Sequence, residues 1–216
     1  MNTVTKFVLG SMGRLRPRPA AGPASAVLEL PPPVKAGGAS LLQALAARRS
    51  QREFDPRPLP RDLLSSLLWA AWGSNRPDGG RTAPSALNAQ EVELYVALPD
   101  GAYRYQAGQH ALHLVAPVDL RRVTGYQDFV DEAPLDLVYV ARHERLAAVP
   151  VPQRAAYAHV AAGAIAQNVY LFAAANGLAT VLRAWIDRDA IGDALALSHD
   201  HQVMLSQTVG YPKASG

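Results

Sequence analysis

Past residue 40, apolar side chains recur first at helical spacing and then at strand spacing. Leu41, Leu42 and Leu45 follow Ser40, and Ser40 with Gln43 reads as a capping box that opens a short helix. Leu63, Leu64, Leu67 and Leu68 repeat the helical period after Pro60, with Trp69 and Trp72 near the end and Gly73 as the stop. The period then changes to two. Glu93–Leu98 and Ala102–Tyr105 alternate on either side of Asp100-Gly101, the pattern of a hairpin. Gln106–Leu114 reads as a further loop and short strand, and Leu135–Ala141 is an apolar run that fits a buried strand. From Pro152 to Asn176 nearly every residue is small, aliphatic or aromatic, too long for a strand and expected to be the central helix. Asp187–Leu197 suits another helix and Gln202–Val209 a last strand.

Composition narrows this picture. The 216 residues suit one domain, and at 49% hydrophobic they can bury a sizeable core. With no cysteine, disulfides, thiolate nucleophiles and Cys-ligated metal centres are excluded. Charged residues are only 18%, which hints at a surface covered by a partner subunit. The net charge of +3 is concentrated in residues 1–35, where five basic residues face Glu29 alone and the balance is +4. The rest of the chain carries −1, so the basic character belongs to the tail and not to a nucleic-acid footprint.

Residues 1–38 are rich in Pro, Ala, Gly and Arg and are expected to be a flexible or extended basic tail, with Val27–Leu30 pairing at a sheet edge. Phe7–Gly10 is too short for the core of a signal peptide and Arg14 interrupts it, which points to the cytoplasm. No apolar run is expected to serve as a membrane span.

Two polar stretches carry candidate chemistry. Arg48-Arg49-Ser50-Gln51-Arg52 is a dense cationic segment. It reads either as a solvated helix end, where cations suit the negative pole of the dipole, or as a phosphate grip of guanidinium forks and a hydroxyl. Arg81–Gln90 is a loop of Ser, Asn and Gln set against a strand, and it offers donors and acceptors to one ligand. His110 and His113 lack partners at metal-ligand spacing. Trp69, Trp72, His159, Gln167 and Asn168 read as core or interface residues.

Four segments, in order, resemble the FMN-dependent nitroreductase family: R-x-S-x-R at 48–52, P-S-x-x-N-x-Q at 84–90, G-x-x-x-Q-N at 163–168 and the G-Y-P ending at 210–212. The Leu-Pro-Pro-Pro tail and the Arg-Thr-Ala-Pro-Ser loop look most like the branch that includes azoline-oxidising dehydrogenases. The resemblance implies an α+β fold of three α-β-α layers around a mixed, mainly antiparallel sheet, spanning residues 39–216. It also implies a domain-swapped homodimer with FMN at the subunit interface. Carried over, Arg48 and Ser50 take the phosphate, Arg52 reaches toward the ribityl chain and the ring's N1/O2 edge, and Arg49 stands close by. Pro84, Ser85, Ala86 and Asn88 border the flavin, and Gln127 addresses its pyrimidine edge. Arg183 and Ala184 stand where the family has Glu-Gly or Gly-Gly near N5. Lys213 is the one base after G-Y-P.

The implied reaction is hydride transfer from NAD(P)H through flavin N5 to a nitroaromatic, a quinone or another flavin, in a ping-pong cycle without a side-chain acid or base. Oxidation of an azoline is the alternative reaction, although the adjacent Lys-Tyr pair of those oxidases is absent. A catalytically degenerate flavin-binding protein and a cofactor-free interaction protein are the non-enzyme alternatives.

Overall fold

The computed structural model describes residues 1–214. Its helices are α1 (Thr3–Ser11), α2 (Leu41–Ala47), α3 (Arg61–Trp72), α4 (Val151–Ala175) and α5 (Arg188–Ala194). The strands are β1 (Arg18–Pro19), β2 (Val27–Glu29), β3 (Phe54–Asp55), β4 (Val92–Leu98), β5 (Gly101–Gln106), β6 (Ala111–Ala116), β7 (Val118–Asp119), β8 (Leu135–Arg142), β9 (Ala179–Arg183) and β10 (His201–Pro212). Every element expected from residue 40 onward is present, with ends shifted by a few residues. The capping box forms as expected: Gln43 N donates to Ser40 Oγ, and Ser40 N donates to Gln43 Oε1.

The main sheet runs β2-β6-β5-β4-β8-β10, with β9 and β3 both pairing to β10. All pairings among the described residues are antiparallel, so the expected mixed character does not arise within this chain. Strand alternation builds a core on each face. Val92, Leu94 and Val96 of β4 and Leu135, Leu137 and Tyr139 of β8 pack with α3 and α4. Tyr95, Ala97, Val138 and Val140 point the other way, onto Leu120, Val123, Ile186 and the α5 residue Ile191. Three layers result, as the resemblance implied.

α4 crosses the first face. Its buried positions, Ala158, Ala161, Ala162, Ile165, Ala166, Val169, Tyr170 and Ala173, return at helical spacing and are mostly alanine, so the helix lies close to the sheet. On length and composition alone α4 could cross a membrane, contrary to the expectation from run length. Here 44% of its apolar 18-residue stretch is buried, facing the core. A polar link ties helix to sheet: Gln207 Nε2 donates to Ala166 O at 3.4 Å, and the buried Tyr139 hydroxyl donates to Gln207 Oε1 at 2.5 Å.

The N-terminal tail departs from expectation. Residues 3–11 are helical, not extended, and Lys6 is fully buried. Its ammonium lies 2.8 Å from Asp131 Oδ1 and donates to Gln127 O at 3.0 Å. Composition could not show this, because the partners that stabilise α1 lie some 120 residues away. β1 pairs with β7, and β2 adds an edge strand to β6 through Val27–Glu29, within the segment expected to pair there.

Burial pushes the Tyr139 phenol well above its ordinary 10.0, so the neutral form is favoured in the folded state. Its contribution to stability is complete below the unfolded value and is lost as pH rises past it. Tyr139→Phe should therefore cost about 1 kcal/mol at neutral pH in urea unfolding. The gap from the parent chain should narrow above about pH 10.

Candidate functional site

The sequence-identified residues fall into groups spread along α4. The first is the end of α2. Arg48 is its C-cap and sits with its guanidinium carbon 5.3 Å from the centre of the Tyr170 ring, a cation–π contact. Arg49, Ser50 and Arg52 are exposed. No carboxylate among the described residues comes within ion-pair distance of Arg48, Arg49 or Arg52, whereas most other arginines have such partners or buried carbonyls.

Ser50 Oγ lies 2.8 Å from the Tyr170 hydroxyl, which accepts the Leu182 backbone N–H at 2.9 Å. Either hydroxyl can donate in the Ser50–Tyr170 contact, and Ser50 stands beside arginines whose guanidinium groups are donors only. Gln51 N donates to Thr180 O, which pins the segment to β9. Tyr170 is a site residue that sequence reasoning missed. Nothing distinguishes it within the apolar run of α4 except its position on the buried face.

The second group is the 81–90 loop. Pro84, Ser85 and Ala86 line a cavity of about 440 Å³ whose other wall is Ala156, Tyr157, Val160 and Ala161 of α4. Leu87, Asn88 and Gln90 all have positive φ, at 55°, 51° and 50°. Three such residues within four cost free energy unless the surroundings fix them. The fixing is visible. Gln90 Nε2 donates to Asn88 Oδ1 and to Gly79 O, Gln90 N donates to Ser85 Oγ, and Arg81 Nε donates to Gln90 Oε1. Ser85 and Asn88 thus spend acceptor capacity on the loop itself. Asn168 Nδ2 donates to Thr82 O, so the polar residue of α4 anchors the loop.

The third group flanks β9. Arg183 does not project into a ligand space. Its side chain is buried, and Nη2 lies 2.7 Å from Asp136 Oδ1, which also accepts Thr208 Oγ1. Burial pushes the Arg183 pKa down while the Asp136 carboxylate opposes that shift. Gly125 is required here, since a Cβ would collide with Arg183 Nη1. What Arg183 and the exposed Ala184 can offer a ligand is backbone. Gln127 lies beside this pair, and its Oε1 is buried without a partner. Arg183 Nη1 and Nε, close by, are buried without partners as well.

Lys213 and Arg52 share a cavity of about 500 Å³ with Phe129, Glu53, Asp128 and Glu132. Three carboxyl groups there outnumber two bases, so this cavity by itself is no anion cradle. The 210–212 ending holds its place sterically: a Cβ on Gly210 would stand 2.6 Å from Pro134 Cδ.

Arg48 and Ser50 meet α4 at Tyr170, and the 84–86 loop meets it at Ala156–Ala161. That interval of nine to fourteen residues is roughly 14–21 Å at 1.5 Å per residue. On one copy of the chain the two groups therefore stand well apart.

Comparison with known proteins follows this geometry. The nitroreductase family model matches residues 45–211. A provisionally named nitroreductase of Methanocaldococcus jannaschii is 34% identical over 151 residues, covering 65% of this chain and 76% of its own length. A crystal structure from Ralstonia eutropha JMP134, also provisionally called a nitroreductase, is 47% identical with a TM-score of 0.89. It covers 93% of this chain and 96% of its own. The NADPH:FMN oxidoreductase of Vibrio harveyi, solved with NAD+, shares the fold at TM-score 0.59 and 20% identity, over 81% of this chain and 69% of its own.

Removing Asp136 would strand a buried guanidinium. Asp136→Ala should destabilise the chain by about 3–5 kcal/mol in urea unfolding. Arg183→Met placed in the same chain should recover a large part of that loss.

Proposed function

We propose, from the premise that the chain belongs to the nitroreductase family, that it is an FMN-dependent oxidoreductase. It takes hydride from NAD(P)H and delivers it to a small oxidised acceptor, a nitroaromatic, a quinone or a second flavin, with donor and acceptor visiting in turn. Family membership makes the chain an oxidoreductase; the cofactor and the acceptor class belong to this proposal. The observation that carries the reading is the cluster of Arg48, Arg49 and Arg52, without acidic partners among the described residues, beside the Ser50 hydroxyl.

Bound FMN would supply two-electron chemistry at N5. The chain's own residues would do the rest. Arg48, Arg49, Ser50 and Arg52 would hold the phosphate, with Lys213 as a further cation. Pro84–Asn88 would border the ring on a backbone already fixed in shape. The orphaned Gln127 Oε1 would accept from the ring's N–H edge, and backbone at Arg183–Ala184 would face N5. Fixed cations beside N1 and O2 would favour the reduced ring.

A second copy of the chain would complete this site. Midway between the two ligand groups on α4 stands Gly163, exposed and with open space where a Cβ would be. A twofold axis there would set the 84–88 loop of one copy against residues 48–52 of the other. The surface around it is apolar. Val160 is 75% exposed and Leu42 of α2, which packs beside α4, 76%.

Purified protein should absorb near 450 nm and bleach on anaerobic addition of NAD(P)H, recovering with menadione. Colourless protein whose melting temperature does not rise with FMN would end the proposal. Val160→Asp should turn the dimer into monomer in size-exclusion chromatography and release the flavin with it. A monomeric variant that stays yellow would refute a site shared between copies.

A further inference from the structure

A second concentration of arginine lies away from α4, where β4 and β5 part. Their ladder ends at Tyr95↔Arg104, so no pairing joins Val92–Leu94 to Tyr105–Gln106. The gap is a cleft of about 160 Å³ lined by Arg81, Arg104, Arg142 and Arg145, with Glu93 and Gln106 among them. Three of these guanidinium groups meet at one oxygen. Arg104 Nη1, Arg145 Nη2 and Arg142 Nη1 lie 3.5, 3.5 and 3.8 Å from Glu93 Oε1. None of them forms the short, forked contact of a full ion pair.

Glu93 is the wrong size for this company. Its other oxygen already accepts the Tyr95 hydroxyl at 2.9 Å, with His201 Nε2 at 3.7 Å. Glu144 pairs with Arg142 from the rim, which still leaves two of the four positive charges unmatched. Glu91, close to Arg145, has its carboxyl pushed up by burial, and even with its charge counted the cleft keeps one guanidinium unmatched. Other contacts fix the guanidinium groups in place. Arg81 Nε donates to Gln90 Oε1, Arg145 Nη1 donates to Gln90 O, and the Gln106 amide oxygen, suitably turned, accepts Arg104 Nε and Nη2 at 2.9 Å each. Like charges held together in a half-buried cleft repel unless an anion joins them.

We propose that this cleft binds a tetrahedral oxyanion of the phosphate class, either inorganic phosphate or the terminal phosphate of a nucleotide. Forked N–H groups from several directions suit three or four equivalent oxygens better than the two of a carboxylate. Residues 48–52 lie against Tyr170 on α4 and line no part of the cleft, which adjoins the 81–90 loop through Arg81 and Gln90.

The test is calorimetric titration of the full chain, saturated with FMN if it takes flavin up and otherwise as purified, with inorganic phosphate and separately with adenosine 5′-monophosphate. A single site that weakens with rising salt is expected. Equal affinity for the two ligands identifies free phosphate as sufficient, and binding of the nucleotide alone identifies a nucleotide ligand. Arg104→Ala and Arg142→Ala, neither touching the 84–90 loop, should each weaken binding about tenfold. Glu93→Gln, which removes the competing carboxylate, should strengthen it several-fold, a gain that a damaged fold would not give. No binding of either ligand at millimolar concentration overturns the proposal, as do arginine variants that bind like the parent chain.

Discussion

The close seating of α4 on the sheet is the constraint on which the rest depends. Alanines at 158, 161, 162, 166 and 173 keep much of the buried face short, and Ile165, Val169 and Tyr170 fill the rest, so the helix position is set tightly. Gln207 adds direction to that contact by reaching from β10 to the Ala166 carbonyl while holding the Tyr139 hydroxyl. Once α4 is fixed, so are Tyr170 and Asn168. Tyr170 then orients Ser50, and Asn168 holds the loop that begins at Thr82. A helix on a cushion of larger side chains would leave these two polar anchors less well defined.

Charge is placed with economy around this frame. Lys6 and Arg183 are buried cations, each facing a single aspartate, Asp131 and Asp136. Such pairs repay little net free energy, but breaking one is costly, so they lock neighbouring segments together. Lys6 ties α1 to the 127–131 turn. Arg183 ties β9 to β8 beneath that same turn, with Phe129 against its guanidinium. The region beside Gln127 is therefore held from two sides, which suits a place where backbone and one orphaned amide must be presented accurately.

The exposed arginines follow the opposite rule. Arg48, Arg49 and Arg52 have no carboxylate partners among the described residues, and the cleft beside β4 has more guanidinium than its acids can neutralise. Unmatched guanidinium groups held at fixed positions leave positive charge that an anionic ligand could match. The two clusters lie on different parts of the sheet and need not share a ligand.

The sequence by itself determined the main elements from residue 40 onward, though not the strands β3, β7 and β9, since hydrophobic period, the Ser40–Gln43 cap and the stop at Gly73 are local signals. It also determined the family, because short motifs survive as residue identities. It could not reveal that Arg183 faces inward, because a strand residue's burial depends on which neighbour covers it, and Asp136 comes from 47 positions earlier. Nor could it reveal α1, whose stability rests on Asp131, or the Ser50–Tyr170 contact across 120 positions. The separation of the two ligand groups along α4 was likewise invisible, since adjacency of motifs in sequence carries no distance. Those features were decided by tertiary structure alone, because buried charge and hydrogen-bond partners are chosen by what the fold brings together.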